Sequence, residues 1–365
     1  MKKFGFIVHA VTAKDAARRY PFLQRWPDPL IELFMLMKGP SVVGRTSVIT
    51  SPTGAVTQGV FVGVPMSTRM LQKLPLEFSY KRILKAIEIA AQEGAEVVGL
   101  GAHTACIGDG GITLNARSRV PVTSGNSYTV ATAIEAGMDA VGRLYPNLDL
   151  RFEGVLAVVG ATGAIGKTCA QMLKDRFAVT YLIGRDLDRT QAAAESIGLP
   201  LSTATTDVGI IRKAHLVISV TSSDTDVIKS EHLSPGTVVV DVARPRDVSF
   251  RVQKERQDVL VIEGGVVRVP GKPSFGLNFG FPPYDAYACM SETMVLALEG
   301  RCEAFTCGKD VSPEQVEEIS RLATRQGFGL SGYRSFERRV EDEDVERIAS
   351  LAAKRVGLLS DLIAY

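Results

Sequence analysis

The chain has 365 residues and is poor in several residue types. It contains one tryptophan, four histidines and five cysteines. The cysteines, Cys106, Cys169, Cys289, Cys302 and Cys307, are odd in number and lack paired CxxC spacing. This argues against a disulfide framework or a zinc ribbon and for reduced thiols in a cytoplasmic protein. His9, His215 and His232 have no second potential metal ligand beside them and read as structural or surface groups, so no metal is expected. Charge of one sign is also missing. The 42 Lys plus Arg nearly cancel 40 Asp plus Glu, leaving +2, which gives no field to attract nucleic acid or an anionic membrane. No apolar run reaches the length of a transmembrane helix. The opening Met1-Lys2-Lys3-Phe4 starts like a signal peptide, but its apolar run is short and Lys14-Asp15 follows without a cleavage site, so a buried first strand is expected. There is no internal repeat or low-complexity segment.

What is present is alternation. The length favours two domains. Strands are expected at residues 4–11, in the runs 46–50 and 56–64, and at 97–101, with helices at 14–24, 79–93 and 129–144. Trp26-Pro27-Asp28-Pro29 reads as a break. A polar stretch around Pro146 to Glu153 then precedes Val155-Leu156-Ala157-Val158-Val159, an apolar run suited to a parallel strand buried on both faces. Further strands at 179–183, 216–220, 238–242 and 259–262 alternate with helices at 165–175 and 189–197. The expected fold class is therefore α/β: a Rossmann-type doubly wound parallel sheet plus an α/β substrate domain completed by C-terminal helices. The expected domains are 1–150 for substrate and 151–268 for the Rossmann unit. Residues 269–365 supply a loop and helices (287–300, 313–327 and 342–365) that return to the substrate domain.

The segment Gly160-Ala161-Thr162-Gly163-Ala164-Ile165-Gly166 follows the buried strand and opens a helix. Glycines at positions one, four and seven in that context expose backbone N–H groups and a positive helix end to a pyrophosphate. After the next strand, where an NAD enzyme offers a carboxylate to the ribose, this chain has Gly184-Arg185, whose guanidinium suits a 2′-phosphate. NADPH is the expected cofactor, although Asp186 stands beside Arg185. Thr221 and Ser222, with Ser223, fall at the end of a later strand, where the nicotinamide side of such a site is lined; the alternative is a polar loop.

Among the thiols, Cys289 has the most suggestive setting. Tyr284-Asp285-Ala286-Tyr287-Ala288-Cys289 leads from a Pro-rich loop into a helix, and a helix's first turn is expected to lower a thiol's pKa. A buried structural cysteine is the competing reading.

Several separated segments then occur in one order: Phe4-Gly5-Phe6-Ile7-Val8-His9, Gly99 to Thr104, Thr123 to Thr129, the Gly160 loop, Glu263-Gly264-Gly265-Val266-Val267, Ala288-Cys289-Met290-Ser291-Glu292-Thr293-Met294 and Arg325-Gln326-Gly327-Phe328. In these the chain resembles the cyanobacterial long-chain acyl-[acyl-carrier-protein] reductases, which make fatty aldehydes. The resemblance implies that Cys289 takes the acyl group from a thioester of acyl carrier protein or coenzyme A, and that NADPH then delivers hydride to release aldehyde. It implies an aldehyde-consuming enzyme as a partner. Oxyanion stabilisation and proton delivery need donors, and His103, Ser127, Tyr128 and Thr129 are the nearest candidates on the matching loops. His103 stands where the family pattern carries an apolar aromatic, and residues 268–284 also differ. The same domain order occurs in shikimate-dehydrogenase-like and glutamyl-tRNA-reductase-like enzymes. The rival readings are thus a small-substrate NADP oxidoreductase without a covalent intermediate, and a non-catalytic NADPH-binding sensor. The apolar stripe from Val345 to Ile363 is expected to pack within the chain or in a homo-oligomer.

Overall fold

The computed structural model describes residues 1–223 and 225–363, with side chains at all of these except 18 and 354–363. The outer part of the C-terminal stripe (Val356, Leu359, Leu362, Ile363) therefore lies outside the described side chains, and Tyr365 outside the described residues. The chain forms two compact units, one comprising 1–128 with 267–329 and the other 129–266 with 330–365. The fold is α/β, with parallel sheets at the centre of both units.

In the first unit, β1 (Lys3–Ala10), β2 (Ser41–Arg45), β3 (Ile49–Thr50), β4 (Val56–Ser67), β5 (Val97–Leu100) and β6 (Val122–Thr123) form a sheet of order β2-β4-β1-β5-β6, with β3 pairing on β4. The pairs β1–β4, β1–β5 and β5–β6 are parallel, and β2 runs antiparallel to β4. Parallel strands covered on both faces need apolar residues throughout, as Val97-Val98-Gly99-Leu100 supplies. The helix Leu76–Gln92 places Ile83, Ala86, Ile87 and Ala90 on one buried stripe against this sheet, the i, i+3, i+4, i+7 pattern of a half-buried helix.

In the second unit, β7 (Val155–Val159), β8 (Val179–Ile183), β9 (Ala204–Thr205), β10 (Leu216–Ser219), β11 (Val238–Asp241) and β12 (Leu260–Glu263) lie in the order β12-β11-β10-β7-β8-β9, with every neighbouring pair parallel. The strand order reverses between β7 and β10. In an open α/β sheet that is the switch point, where the carboxyl ends of the strands leave a crevice for ligand.

Some expectations fail for identifiable reasons. Residues 14–24 make two short 3-10 turns, Ala13–Arg18 and Pro21–Arg25, because Pro21 cannot continue a helix. The expected break at 26–29 instead starts a helix, Asp28–Met37, with Pro29 in its first turn, where a missing N–H costs no hydrogen bond. The two compact units meet along the chain at 128/129. The helix Asn126–Leu144 runs on into the second unit, where a Cβ at Gly137 would lie 3.1 Å from Leu216 and 3.2 Å from Val240. Residues 267–329 belong to the first unit and 330–365 to the second, where Arg334 reaches Glu263 and Arg143 pairs with Asp342. Among the described residues no helix is long and apolar enough to cross a membrane, and no group of three His, Cys, Asp or Glu side chains could hold a metal ion.

Candidate active site

The glycine loop sits in the second unit at the reversal of strand order. Gly160 leaves β7 at φ +84°, and a Cβ there would lie 2.5 Å from the Val220 carbonyl oxygen. At Gly166 a Cβ would meet the Gly160 carbonyl oxygen, also at 2.5 Å. These two positions are forced by the protein's own backbone. Gly163 differs: it caps the helix Ala164–Leu173, and its Cβ would find only the Gly160 carbonyl oxygen, at 3.4 Å. The fold does not need that glycine, whereas a pyrophosphate approaching the helix end does. Ala161, Thr162, Ala164 and Ile165 complete the same turn and first helical residues. These residues fit the diphosphate of a dinucleotide.

Arg185 is exposed just beyond β8. Asp186, the competing ribose ligand, is the N-cap of the helix Leu187–Ser196 and accepts the Arg189 N–H at 3.0 Å. Its local role explains its presence without a cofactor. Thr221 is held by a residue that sequence reading missed. The Asp247 carboxylate, fully buried, accepts from Ser219 Oγ at 2.7 Å, Thr221 N–H at 2.8 Å and Thr221 Oγ1 at 2.5 Å. Asp241, at the end of β11, accepts N–H groups from Ala243, Asp247 and Val248. Burial pushes Asp241 up to about 6 and raises Asp247 as well. The loop after β10 is thus fixed by a carboxylate 26 residues downstream of Thr221. No local pattern announces this.

Cys289, His103, Ser127 and Tyr128 all lie in the first unit. Cys289 is the second residue of the buried helix Ala288–Leu298, which packs on β5 so closely that a Cβ at Gly99 would lie 2.1 Å from Thr293 Oγ1. Gly125, at φ +74°, packs directly on the cysteine: a Cβ there would stand 2.4 Å from Cys289 Cα and 2.6 Å from its carbonyl oxygen. The segment 123–128 and the first turn of the Cys289 helix are therefore one assembly. Its fastener is Glu292, fully buried, which accepts from Thr123 Oγ1 at 2.5 Å and from Tyr128 N–H at 3.1 Å. Thr306 adds a third strand to the knot, donating its hydroxyl to Ser127 Oγ at 2.7 Å and its N–H to Thr123 Oγ1 at 3.1 Å. Ser127 is thus a fully buried residue engaged by Thr306. Tyr128 is buried, and its backbone N–H makes a contact to Glu292.

His103 follows Ala102, a non-glycine residue at φ +47°. Left-handed geometry at an alanine costs about 1 kcal/mol, and such strain gathers at sites that use it. The loop is held by His9: its Nδ1 lies 2.8 Å from the Ala10 carbonyl oxygen, and its Nε2 accepts the His103 N–H at 3.0 Å. Those partners assign the proton to Nδ1 and make His9 a neutral structural group; burial pushes it down to about 4. His103 is also buried, which lowers its pKa.

The thiol corrects a sequence expectation. Burial pushes Cys289 up to about 12, and the Glu292 charge adds to that rise, while the amides of Ala102, Met290 and Cys289 act in the opposite direction. The helix-start stabilisation exists, but desolvation outweighs it. In the resting protein the sulfur is a thiol.

Residues 149–263 match the shikimate / quinate 5-dehydrogenase family. Over 359 residues the chain is 32% identical to the aminotransferase PigE of Serratia sp., covering 94% of this chain and 41% of that protein. The chain thus spans about two-fifths of that relative's length. It is 26% identical over 350 residues to the long-chain acyl-[acyl-carrier-protein] reductase of Synechococcus elongatus, covering 89% of this chain and 98% of that protein. Among solved structures, the NAD-dependent malic enzyme of Thermotoga maritima aligns with 97% of this chain and 84% of its own at 14% identity, with a TM-score of 0.44.

Proposed function

We propose that this chain is an NADPH-dependent oxidoreductase that reduces a long-chain acyl thioester to a fatty aldehyde through an acyl-enzyme on Cys289. The observation that carries the reading is the seat of Cys289: first turn of a buried helix, backbone pressed against Gly125, with the Ala102 and Met290 amides acting on its sulfur. A purely structural thiol needs none of this apparatus. The likeness along nearly the whole length of an acyl-[acyl-carrier-protein] reductase supports the substrate class. The relative named as an aminotransferase is compatible with it, since aminotransferases act on carbonyl compounds, the class made here.

Cys289 gives up its proton and its sulfur bonds to the thioester carbonyl carbon; the bond to the carrier sulfur breaks and the carrier leaves as a thiol. His103, kept neutral by burial, is the group in the form to accept that proton. The Ala102 and Met290 N–H groups are the donors placed to stabilise negative charge at the sulfur and its new bond. NADPH, when bound, supplies the hydride that converts the acyl-enzyme to aldehyde. Gly160, Gly163 and Gly166 would hold its diphosphate and Arg185 its 2′-phosphate, with Thr221 and Ser222 lining the nicotinamide side.

Intact-protein mass spectrometry after mixing the chain with a long-chain acyl-coenzyme A or acyl-carrier thioester, without NADPH, tests this. An acyl-sized increase that maps to Cys289, is absent from Cys289→Ala and disappears with aldehyde release on adding NADPH is expected. No adduct with either donor, in protein that binds NADPH, would overturn covalent transfer in favour of a shikimate-dehydrogenase-like reaction on a small substrate.

A further inference from the structure

A helix that is apolar on every side belongs inside a protein or against another apolar medium. The helix Asp28–Met37 of the first unit is of that kind: among its ten residues only Asp28 and Glu32 are charged. Its inner face buries Ile31 and Met35, while Leu30, Leu33 and Met37, at i, i+3 and i+7, are 49%, 54% and 72% exposed. Single exposed hydrophobes are ordinary, but these continue into an aromatic cluster. Phe22, 56% exposed, packs edge-on against Trp26 and Phe34 with ring centroids 5.9 and 5.6 Å away, and Tyr20 joins Phe34 at 5.3 Å. The polar groups along this face are engaged with one another or behind it. Lys14 Nζ lies 4.0 Å from the Asp28 carboxylate and donates to the carbonyl oxygens of Gln24 and Trp26. Glu32 accepts from Ser67 Oγ at 2.9 Å and lies 3.6 Å from Arg69. At the edge, Arg19, Arg25 and Lys38 are exposed cations; Arg19 lies over the Tyr20 ring at 5.9 Å and Lys38 over the Phe34 ring at 5.2 Å. A basic head carried along an aromatic flank is how side chains at a bilayer boundary reach up to the head groups.

We propose that this face docks the first unit onto an anionic lipid surface: Phe22, Trp26, Leu30, Leu33 and Met37 enter the acyl boundary, and Arg19, Arg25 and Lys38 meet the head groups. Charge complementarity favours lipid over a second copy of the chain, since a two-fold contact would bring the same basic edge into both halves of the interface. A protein partner would also look for hydrogen bonds, whereas the carboxylates and turn carbonyls of this face are already engaged. The whole chain's charge of +2 exerts no long-range pull, so the attraction acts only within about 8–10 Å of the head groups. Insertion of the apolar face holds the chain, and the cations choose the lipid. Glu32 links the face to the site, because its partners Ser67 and Arg69 begin the helix Thr68–Lys73, which packs on the 102–105 loop that carries His103. The inference rests on the acyl-thioester reading for its purpose, since long acyl chains and their aldehydes partition into bilayers, but not for its test.

Trp26 is the only tryptophan, so its fluorescence reports on this face alone. The full chain is titrated with vesicles of phosphatidylcholine, with and without phosphatidylglycerol, following Trp26 emission and co-flotation of the protein. A blue shift and flotation are expected, with binding to the anionic vesicles at least about tenfold tighter than to the neutral ones and a preference that fades as salt is raised. Leu33→Asp with Met37→Asp should abolish flotation, and Arg25→Glu with Lys38→Glu should abolish the preference for anionic lipid. All four positions are exposed, so thermal unfolding of both variants should stay near wild type. Wild-type protein that does not float, that binds both vesicles equally, or that floats no better than the Leu33→Asp, Met37→Asp variant overturns the proposal. Two outcomes would reassign the face and overturn it as well. Self-association without vesicles that the same variant abolishes, in protein that does not float, makes it a dimer contact. Acylation that the variant slows from acyl-carrier protein but not from acyl-coenzyme A, again without flotation, makes it the carrier's surface. Flotation as expected with no acyl-enzyme on Cys289 defeats the functional reading and leaves the docking surface standing; an acyl-enzyme without flotation does the reverse.

Discussion

The Gly160–Gly166 loop and the Cys289 seat both rest on glycines, but the two are made in different ways. Residues 160–166 are one continuous turn between β7 and its helix, working through backbone N–H groups, and one glycine of the three faces space that the fold leaves open. The Cys289 seat joins segments near 102, 125, 289 and 306, held by a buried side-chain carboxylate, and its glycine is filled by the cysteine's own backbone. A contiguous backbone site can lose a ligand contact without losing the fold. A site assembled from distant segments cannot lose a member without losing its geometry.

Substitution of matched glycines breaks or sharpens this contrast most strongly. Gly125→Ala adds a Cβ 2.4 Å from Cys289 Cα in a left-handed conformation, and should cost about 3 kcal/mol through overpacking and backbone strain. Thermal unfolding should show the loss, and acylation of Cys289 should vanish with it. Gly163→Ala should leave the unfolding midpoint within about 1 kcal/mol of wild type, yet weaken NADPH by roughly tenfold or more because the methyl occupies the diphosphate's approach. Equal loss of stability in the two variants would end the distinction.

The second effect lies at the Cys289 seat and depends on pH. His9 is neutral in the fold, its pKa pushed down from 6.5 to about 4, first by burial. A base with a lowered folded pKa binds fewer protons folded than unfolded between those values, so its contribution to stability is intact above pH 6.5 and falls as pH drops towards 4. The difference amounts to about 3 kcal/mol at the lower end. His9→Gln, which keeps a donor and an acceptor but does not titrate, should flatten this part of the stability curve in chemical denaturation. An unchanged slope would show that His9 carries its proton in the native state.

The contrast also governs how much the sequence reveals. The β7 strand, its loop and the following helix are legible because period, glycine spacing and buried strand lie within about twenty residues. Cys289 is legible through its helix start and family likeness. Its thiol state is not, because desolvation depends on everything packed around it. Glu292 and Asp247 pass unnoticed as single acidic residues, since what makes them matter is a partner 169 residues away at Thr123 and one 26 residues away at Thr221. The helix Asp28–Met37 is hidden by its flanking prolines, which mark a start as readily as a stop. The 128/129 boundary lies inside a helix, where no change of composition marks it.

On the cofactor side, Asp247→Asn retains the shape but replaces a charge-assisted acceptor of three hydrogen bonds with a neutral amide. The loop carrying Thr221 and Ser222 should loosen and NADPH affinity fall about tenfold. Fluorescence titration reads this directly, and an affinity equal to wild type would mean that the loop does not contact the cofactor.

The smallest expected effect falls on Arg185. It is exposed, so a phosphate pairing with it is screened by water and salt, and Arg185→Ala should weaken NADPH only about fivefold. NADH lacks the 2′-phosphate, so its affinity should not change, and the ratio of the two rather than either value is the decisive quantity. The adjacent carboxylate provides the internal control. Asp186 is engaged by the Arg189 N–H as a helix cap, and its replacement should lower thermal stability by about 1 kcal/mol while leaving the cofactor ratio alone. If Arg185→Ala weakens both cofactors equally, the guanidinium serves the loop rather than the phosphate, and the preference for NADPH loses its support; if Asp186 governs the ratio instead, the carboxylate reads the ribose and the cofactor is NADH.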